Sequence, residues 1–204
     1  MAQNQQIENF TVAITDQQKK GKGQHGKTWF SSPHKNLTFS VFTEFKELLI
    51  SDQTYLNFAI SLAVFDCLKK LNTPNLSIKW PNDIFSESKK ISGILIEPNC
   101  RSTFIKTAII GIGLNVNEEE FPEKIPKATS LKKIHKNNFI LDEVLQMLLK
   151  ELKYYIGLVY DAKFEYLEKK YLKELFKKDK VATFSNKNNV IFSGIIKGVS
   201  KEGK

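Results

Sequence analysis

Five consecutive residues, Lys79-Trp80-Pro81-Asn82-Asp83, set a cation, a large aromatic, a rigid turn residue and an amide–carboxylate pair side by side. Leu76, Ile78 and Trp80 alternate with polar residues, which predicts a short strand over 76–80. Pro81 cannot donate to a sheet ladder and ends that strand. Asn82 and Asp83 therefore fall just past a strand end, where ligands commonly bind in open sheets. A strand terminus needs no such density of chemistry for stability alone. A turn capped by Asn and Asp explains Pro81 to Asp83 on structural grounds alone. It leaves Lys79 and Trp80 unexplained.

Two glycine-rich elements add to this. Gly21-Lys22-Gly23-Gln24-His25-Gly26-Lys27-Thr28-Trp29 holds three glycines in six residues, which lets the backbone take φ > 0 and approach a ligand closely. Successive N–H groups in such a loop form an anion-binding nest. Lys20, Lys22 and Lys27 bring charge suited to phosphate, and Trp29 an apolar wall. The loop is not a P-loop, since the GK[ST] ending is missing, and its glycine spacing is not that of a dinucleotide fingerprint. Taken alone, a solvated basic loop explains it as well. Gly111-Ile112-Gly113-Leu114-Asn115 closes an apolar run that begins at Phe104. Glycines inside a buried strand mark close approach by a ligand or a neighbouring backbone. Asn115 offers a donor and an acceptor at the strand end, although a plain strand ending in an Asn turn reads equally well.

In order, these elements resemble the biotin–protein ligases, which group with the lipoate ligases. That family carries a glycine loop of the form GRGRxGRxW, then KWPND, a lysine followed by GILxE, and GxGxN. The chain has GKGQHGKTW at 21–29, KWPND at 79–83, Lys90 ahead of Gly93-Ile94-Leu95-Ile96-Glu97, and GIGLN at 111–115. The likeness is strong from about residue 12 to 117 and general elsewhere. It implies an α+β fold of the biotin–lipoate ligase type, similar to class II aminoacyl-tRNA synthetases, with a mixed or antiparallel sheet packed by helices. Residues 1–178 would form the catalytic domain, and 179–204 an incomplete SH3-like β segment.

The chemistry the resemblance implies has two half-reactions. The carboxylate of biotin attacks the α-phosphorus of ATP, giving biotinyl-5′-AMP and pyrophosphate. A lysine of a biotin carboxyl carrier domain then attacks the mixed anhydride. Such a site must hold two anions together, neutralise charge developing on the α-phosphate and keep water from the adenylate. By resemblance, Lys90, Asp83 and Lys22 carry catalysis. Gln18, Gly21, Gly23, Gln24, Gly26, Lys27, Trp29, Lys79, Trp80, Asn82, Gly93, Ile94, Gly111, Gly113 and Asn115 complete the biotin and ATP sites. Mg²⁺ accompanies ATP, near Asp83, and no tightly bound prosthetic group is expected. Lys22 and Lys27 lack the planar fork of the family's arginines and would grip phosphate less rigidly. His25 reads as a solvated loop residue, because this chemistry needs no histidine.

The elements that must position these residues follow from periodicity. Strands are predicted over 9–16, 36–45, 76–80, 91–96 and 103–113. A helix capped by Ser51 should carry Leu56, Ile60, Ala63, Val64, Cys67, Leu68 and Leu71 on its apolar face. Further helices are predicted over 139–159 and 162–177, and a hairpin over 181–184 and 190–196 turns at Asn186-Lys187-Asn188-Asn189. Relative to the family, the chain reads as shortened at both ends. Met1 to Asn9 lacks the Ser/Thr-Thr-Asn motif that lines the family's biotin pocket, and no helix-turn-helix is expected, so neither is specific DNA binding.

Composition fits this reading. The chain has 204 residues, 41% of them hydrophobic, which excludes wholesale disorder. No stretch has the length of a membrane span, and the N-terminus has no signal-peptide core. Two isolated cysteines exclude a zinc site or disulfide framework and suit a reducing cytoplasm. The net charge of +9 raises nucleic-acid binding as another class. The basic residues are dispersed, and Arg101 is the lone arginine, which favours solvated surface lysines. A lipoate or octanoyl ligase and a catalytically impaired biotin-binding remnant stay open as alternatives, as does a homodimer.

Overall fold

The computed structural model describes residues 7–26, 28–186 and 188–204, with His25 described by its backbone. In chain order the elements are β1 (Val12–Thr15), β2 (Gly21–Lys22), β3 (Thr28–Trp29), β4 (Leu37–Leu49), α1 (Gln53–Lys70), β5 (Leu76–Lys79), β6 (Asp83–Ser86), β7 (Lys89–Arg101), β8 (Phe104–Leu114), α2 (Leu131–His135), α3 (Leu141–Tyr160), α4 (Phe164–Lys173), β9 (Val181–Ser185) and β10 (Ile191–Ile195). Six strands form one sheet in the order β1-β4-β8-β7-β6-β5, antiparallel at every step. This is the expected α+β architecture.

Period-two alternation decides the faces of the sheet. Leu37, Phe39 and Val41 of β4 lie opposite Leu114, Ile112 and Ile110 of β8, and Ile112 lies opposite Ile94 of β7. All seven side chains are buried, forming the floor on which the helices rest. α1 is buried nearly all round, since it packs against α3 and α4 on one side and β5, β6 and β7 on the other. α3 is amphipathic, burying Val144, Leu145, Leu148, Leu152, Tyr155, Ile156 and Val159 along one stripe. Polar staples fix the helix layer. Lys70 of α1 meets Glu151 of α3 at 2.5 Å, and Asp66 accepts from Tyr155 at 2.6 Å and from Lys170 of α4 at 2.7 Å.

The structure corrects several sequence expectations. The strand predicted over 76–80 stops at Lys79, and a second strand, β6, returns beside it from Asp83. Four residues with no clear alternation hid β6. Ser51 does not cap α1. It lies in a 3₁₀ turn, Ile50–Asp52, and Asp52 precedes the helix without a side-chain cap bond. The short helix α2 was not foreseen, though Ser130 caps it by accepting from Lys133 N–H at 3.1 Å. The predicted hairpin is present as β9–β10, with Ile191 opposite Ser185 and Ile195 opposite Val181. Val181 and Ile191 are largely exposed on it. Among the described residues no helix is long and apolar enough to cross a membrane.

The two cysteines sit in opposite surroundings. Cys67 is fully buried in α1, and burial, then the nearby Glu151 carboxylate, pushes its thiol up to about 12. Cys100 is exposed. A thiol reagent at pH 8 should therefore label Cys100 alone in the native chain and both cysteines after unfolding. Rapid native labelling of Cys67 would mean that α1 opens far more readily than its packing implies.

Candidate active site

The sheet face opposite the helices carries the site. Antiparallel register places Thr38, Gly113, Gly93 and Asp83 in one row across β4, β8, β7 and β6. Two neighbouring glycines in mid-sheet leave a hollow where side chains would otherwise stand. Trp29 fills part of it. A Cβ at Gly113 would fall 2.3 Å from the indole Cε2, and one at Gly93 would fall 3.3 Å from its Cζ3. Lys90 runs over the same hollow, since a Cβ at Gly93 would meet its Nζ at 3.0 Å. Its ammonium pairs with Asp83 at 2.6 Å and lies 5.7 Å from the centre of the indole ring.

Above this floor stands the glycine loop. β2 and β3 pair through Gly21–Trp29 and Lys22–Thr28, and a 3₁₀ turn over Gln24–Gly26 joins the loop's middle. Gly26 has φ 74°, so here the left-handed conformation requires glycine. Gly21 serves another purpose. It is buried with ordinary φ, and a Cβ there would strike Trp29 O at 2.6 Å. The loop and the sheet together enclose a cavity of about 880 Å³, a volume suited to a ligand of drug size or larger.

Of the residues singled out from the sequence, Gln18, Lys22, Gly23, Gln24, Gly26, Trp29, Asn82, Asp83, Lys90, Gly93, Ile94, Gly111 and Gly113 line this cavity. Lys27 lies outside the described residues. Four do not line it. Trp80 turns to the other side of the sheet and packs edge to face on Phe58 and Tyr171, at 6.0 and 6.3 Å. Lys79 is exposed and reaches over the Phe85 ring at 5.2 Å. Asn115 is buried and donates to Thr129 O at 2.9 Å, so it fastens the chain after β8 rather than offering itself to a ligand. Gly21 supports Trp29 from behind.

The structure adds lining residues that the sequence did not reveal. Thr38 and Ser40 point into the cavity from β4, and their alternation with Leu37, Phe39 and Val41 was the available clue. Lys124 and Ile125 come from the segment after β8, which sequence pattern could not place. That segment is tied to the lysine strand: Lys90 N–H donates to Lys127 O at 2.7 Å, and Thr129 N–H to Lys90 O at 2.9 Å. The far base of the glycine loop is anchored by buried Glu118. Its Oε2 accepts from Asn36 at 2.9 Å and Ser32 N–H at 3.2 Å, and Lys35 lies 3.6 Å from Oε1.

Lys22, Lys90 and Lys124 thus face a cavity whose lining carboxylates are Asp83 and Glu97. Such a balance favours anions. Among the described residues no group of three or more His, Cys, Asp or Glu side chains gathers to hold a metal.

Comparison with known proteins gives this geometry its context. A profile of the Biotin/lipoate A/B protein ligase family matches residues 2–115. The bifunctional ligase/repressor BirA of Escherichia coli is 27% identical over 120 residues, covering 59% of this chain and 37% of BirA. Biotin–protein ligase 2 of Arabidopsis thaliana is 28% identical over 208 residues, covering 95% of this chain and 60% of its own length. The biotin protein ligase from Aquifex aeolicus, solved with biotin and ATP, superposes with a TM-score of 0.80 at 28% identity, covering 98% of this chain and 82% of that one. The chain spans well under half the length of the first curated relatives it matches.

Contact between Trp29 and Gly113 sets a test. Gly113→Ala should destabilise by about 1–3 kcal/mol, because the methyl must displace a packed indole. In a Trp29→Ala background the same change should cost much less, giving a coupling that denaturant unfolding resolves. Gly111→Ala should be nearly silent, since its Cβ would meet Leu95 O at an ordinary 3.5 Å. Strictly additive costs for Gly113 and Trp29 would show that the indole does not rest on the glycine.

Proposed function

Because the chain belongs to the biotin/lipoate A/B protein ligase family, we propose that it joins biotin to a protein lysine in two ATP-dependent steps. In the first, a biotin carboxylate oxygen bonds to the α-phosphorus of ATP as the α–β phosphoanhydride bond breaks, releasing pyrophosphate. In the second, the amine of an acceptor lysine bonds to the acyl carbon, AMP leaves, and the amine loses a proton. The acceptor is a biotin carboxyl carrier domain. Mg²⁺ arrives with ATP as part of that substrate, and Asp83 is the cavity carboxylate suited to it or to the incoming amine.

One observation carries this reading: the Lys90 ammonium stands over the Gly93 hollow, 2.6 Å from Asp83 and inside the cavity. Two anions must meet in the first step, and a fixed cation between them offsets their repulsion and the charge that develops on phosphate. Lys22 and the loop N–H groups supply further positive potential. Trp29 and the glycine floor provide a flat apolar wall, which limits water around a hydrolysable anhydride. We assign residues 1–178 to the catalytic unit and 179–204 to an SH3-like segment, in keeping with the separate β9–β10 hairpin. The free cysteines suit the cytoplasm.

Incubation with biotin, MgATP and a carrier domain should release pyrophosphate and raise the carrier's mass by one biotinyl group. Lys90→Ala should lower pyrophosphate release about 10²–10³-fold, by analogy with the loss of one oxyanion donor. Lys90 is partly exposed, so the melting temperature should move little. Mass gain with lipoate but not biotin, or full activity in Lys90→Ala, would overturn the assignment.

A further inference from the structure

The turn from Trp80 to Asp83 delivers Asn82 and Asp83 to the cavity, yet Trp80 itself faces away from it. Phe58 of α1 and Tyr171 of α4 hold two sides of the indole. The third side is held by the segment that follows β10. There Ser200 N–H donates to Lys204 O at 2.7 Å and Gly203 N–H to Ser200 O at 2.9 Å, forming a tight turn. Gly203 has φ 75°, and a Cβ on it would fall 3.0 Å from Trp80 Cζ2. Glycine thus lets this backbone rest on the ring.

Polar contacts fasten the same turn to the start of α1. Thr54 Oγ1 donates to Lys201 O at 2.8 Å, and Lys201 Nζ lies 2.8 Å from Asp52. Val199 is buried below. Beside Trp80, between the start of α1 and Lys201–Gly203, lies a second cavity of about 360 Å³. The indole therefore has space to move into once the turn is released.

We propose that residues 199–203 are a positioning clasp for the Asn82–Asp83 turn, acting through Trp80; the catalytic consequence rests on the ligase activity proposed above. Trp80 precedes Pro81 directly, so its backbone cannot shift without carrying Asn82 along. Asn82 is joined to β7 twice, accepting from Ile94 N–H at 2.9 Å and donating from Nδ2 to Ile94 O at 2.9 Å. Asp83 holds Lys90. The β5–β6 hairpin lies at the sheet's edge, and its pairing with β7 is irregular between Ile84 and Phe85. The middle of β5 is tied to the chain after α4, with Ile78 N–H donating to Glu174 O and Phe176 N–H to Ile78 O, both at 2.8 Å. The turn beyond Lys79 is held by the packing of Trp80, which the clasp completes.

Three variants test this. Thr54→Val removes the hydroxyl donor at nearly constant volume, Thr54→Ser keeps the donor, and Gly203→Val drives a branched side chain at the indole. Amide exchange is read in the ligand-free chain over residues 82–86, with α3 as the internal reference. Thr54→Val and Gly203→Val should speed exchange over 82–86 about tenfold and leave α3 unchanged, while Thr54→Ser resembles the parent. With biotin and MgATP, Thr54→Val and Gly203→Val should lower kcat for pyrophosphate release about tenfold, with KM for biotin altered less than about twofold. Unchanged exchange over 82–86 would overturn the clasp, as would a rise shared by α3 or a local rise with unchanged kcat. Should the parent release no pyrophosphate, the ligase reading fails. Faster exchange confined to 82–86 would then still uphold the clasp.

Discussion

Everything at the candidate site depends on the absence of two side chains. Gly93 and Gly113 stand opposite each other in the two central strands of the sheet. Any Cβ at Gly113 would occupy the space of the Trp29 indole, and one at Gly93 would press on Lys90. Glycine in a strand weakens it by exposing backbone and forgoing packing. That loss is offset because the vacated space seats a large aromatic and the stem of a lysine. The glycine loop is then held to the sheet through Trp29, and the loop lines the same cavity as the Lys90–Asp83 pair. Side chains at 93 and 113 would push both groups outward from the floor of the cavity.

Much of this was legible in the sequence, for physical reasons that differ from element to element. β4 alternates Leu37, Phe39 and Val41 with polar residues, so its period-two pattern was readable, whereas β7 and β8 were readable as strands from their apolar runs and only the register shows which face each residue takes. α1 and α3 carried long apolar patterns that no strand could satisfy. Apart from Gly21, the expected site residues that do not line the cavity are those whose chemical type invites a functional role but whose side chains the fold engages elsewhere. Trp80 and Lys79 lie in the richest motif, yet one packs under the helices and the other lies over Phe85. Asn115 offers an amide that the backbone of Thr129 takes up first. Side-chain type says what a residue can do; only strand register and the turn after Lys79 say where it points. Glu118 and Lys124 were invisible for a related reason, since their roles rest on segments far apart in sequence meeting in space.

The charge of the chain looks different once folded. Lys35, Lys70, Lys90, Lys132, Lys170, Lys178, Lys197 and Lys201 each sit within ion-pair distance of a carboxylate. These pairs tie helices to one another and turns to strands, so part of the positive charge serves the fold. Most are solvent-exposed and contribute little energy individually. The Asp66–Tyr155–Lys170 group is better protected. Burial, with the hydrogen bond to Asp66 next, drives the Tyr155 hydroxyl far above the usual phenol range. It stays a proton donor at any physiological pH. Such a group fixes the mutual position of α1, α3 and α4, on which the sheet is laid.

The pairing of Lys90 with Asp83 solves a problem that a cluster of cations alone would create. Lys22, Lys90 and Lys124 face one cavity, and without a counter-charge their mutual repulsion would splay the long side chains into solvent. Asp83 holds the ammonium over Gly93 before any anion arrives. Its own position is set by the β5–β6 hairpin, in which it opens β6 opposite Lys79. The pair is partly open to water, so its attraction is modest and the ammonium can be shared with an incoming phosphate or carboxylate at small cost. Ordering of the lysine stem is completed on folding instead of on binding, which is what preorganisation means at this site. A lysine left free would have to be ordered at the moment of reaction. In the ligase reaction proposed above, the same carboxylate would become available to a second cation or to an amine once its cation turned toward the anions, so that one ion pair would serve both half-reactions.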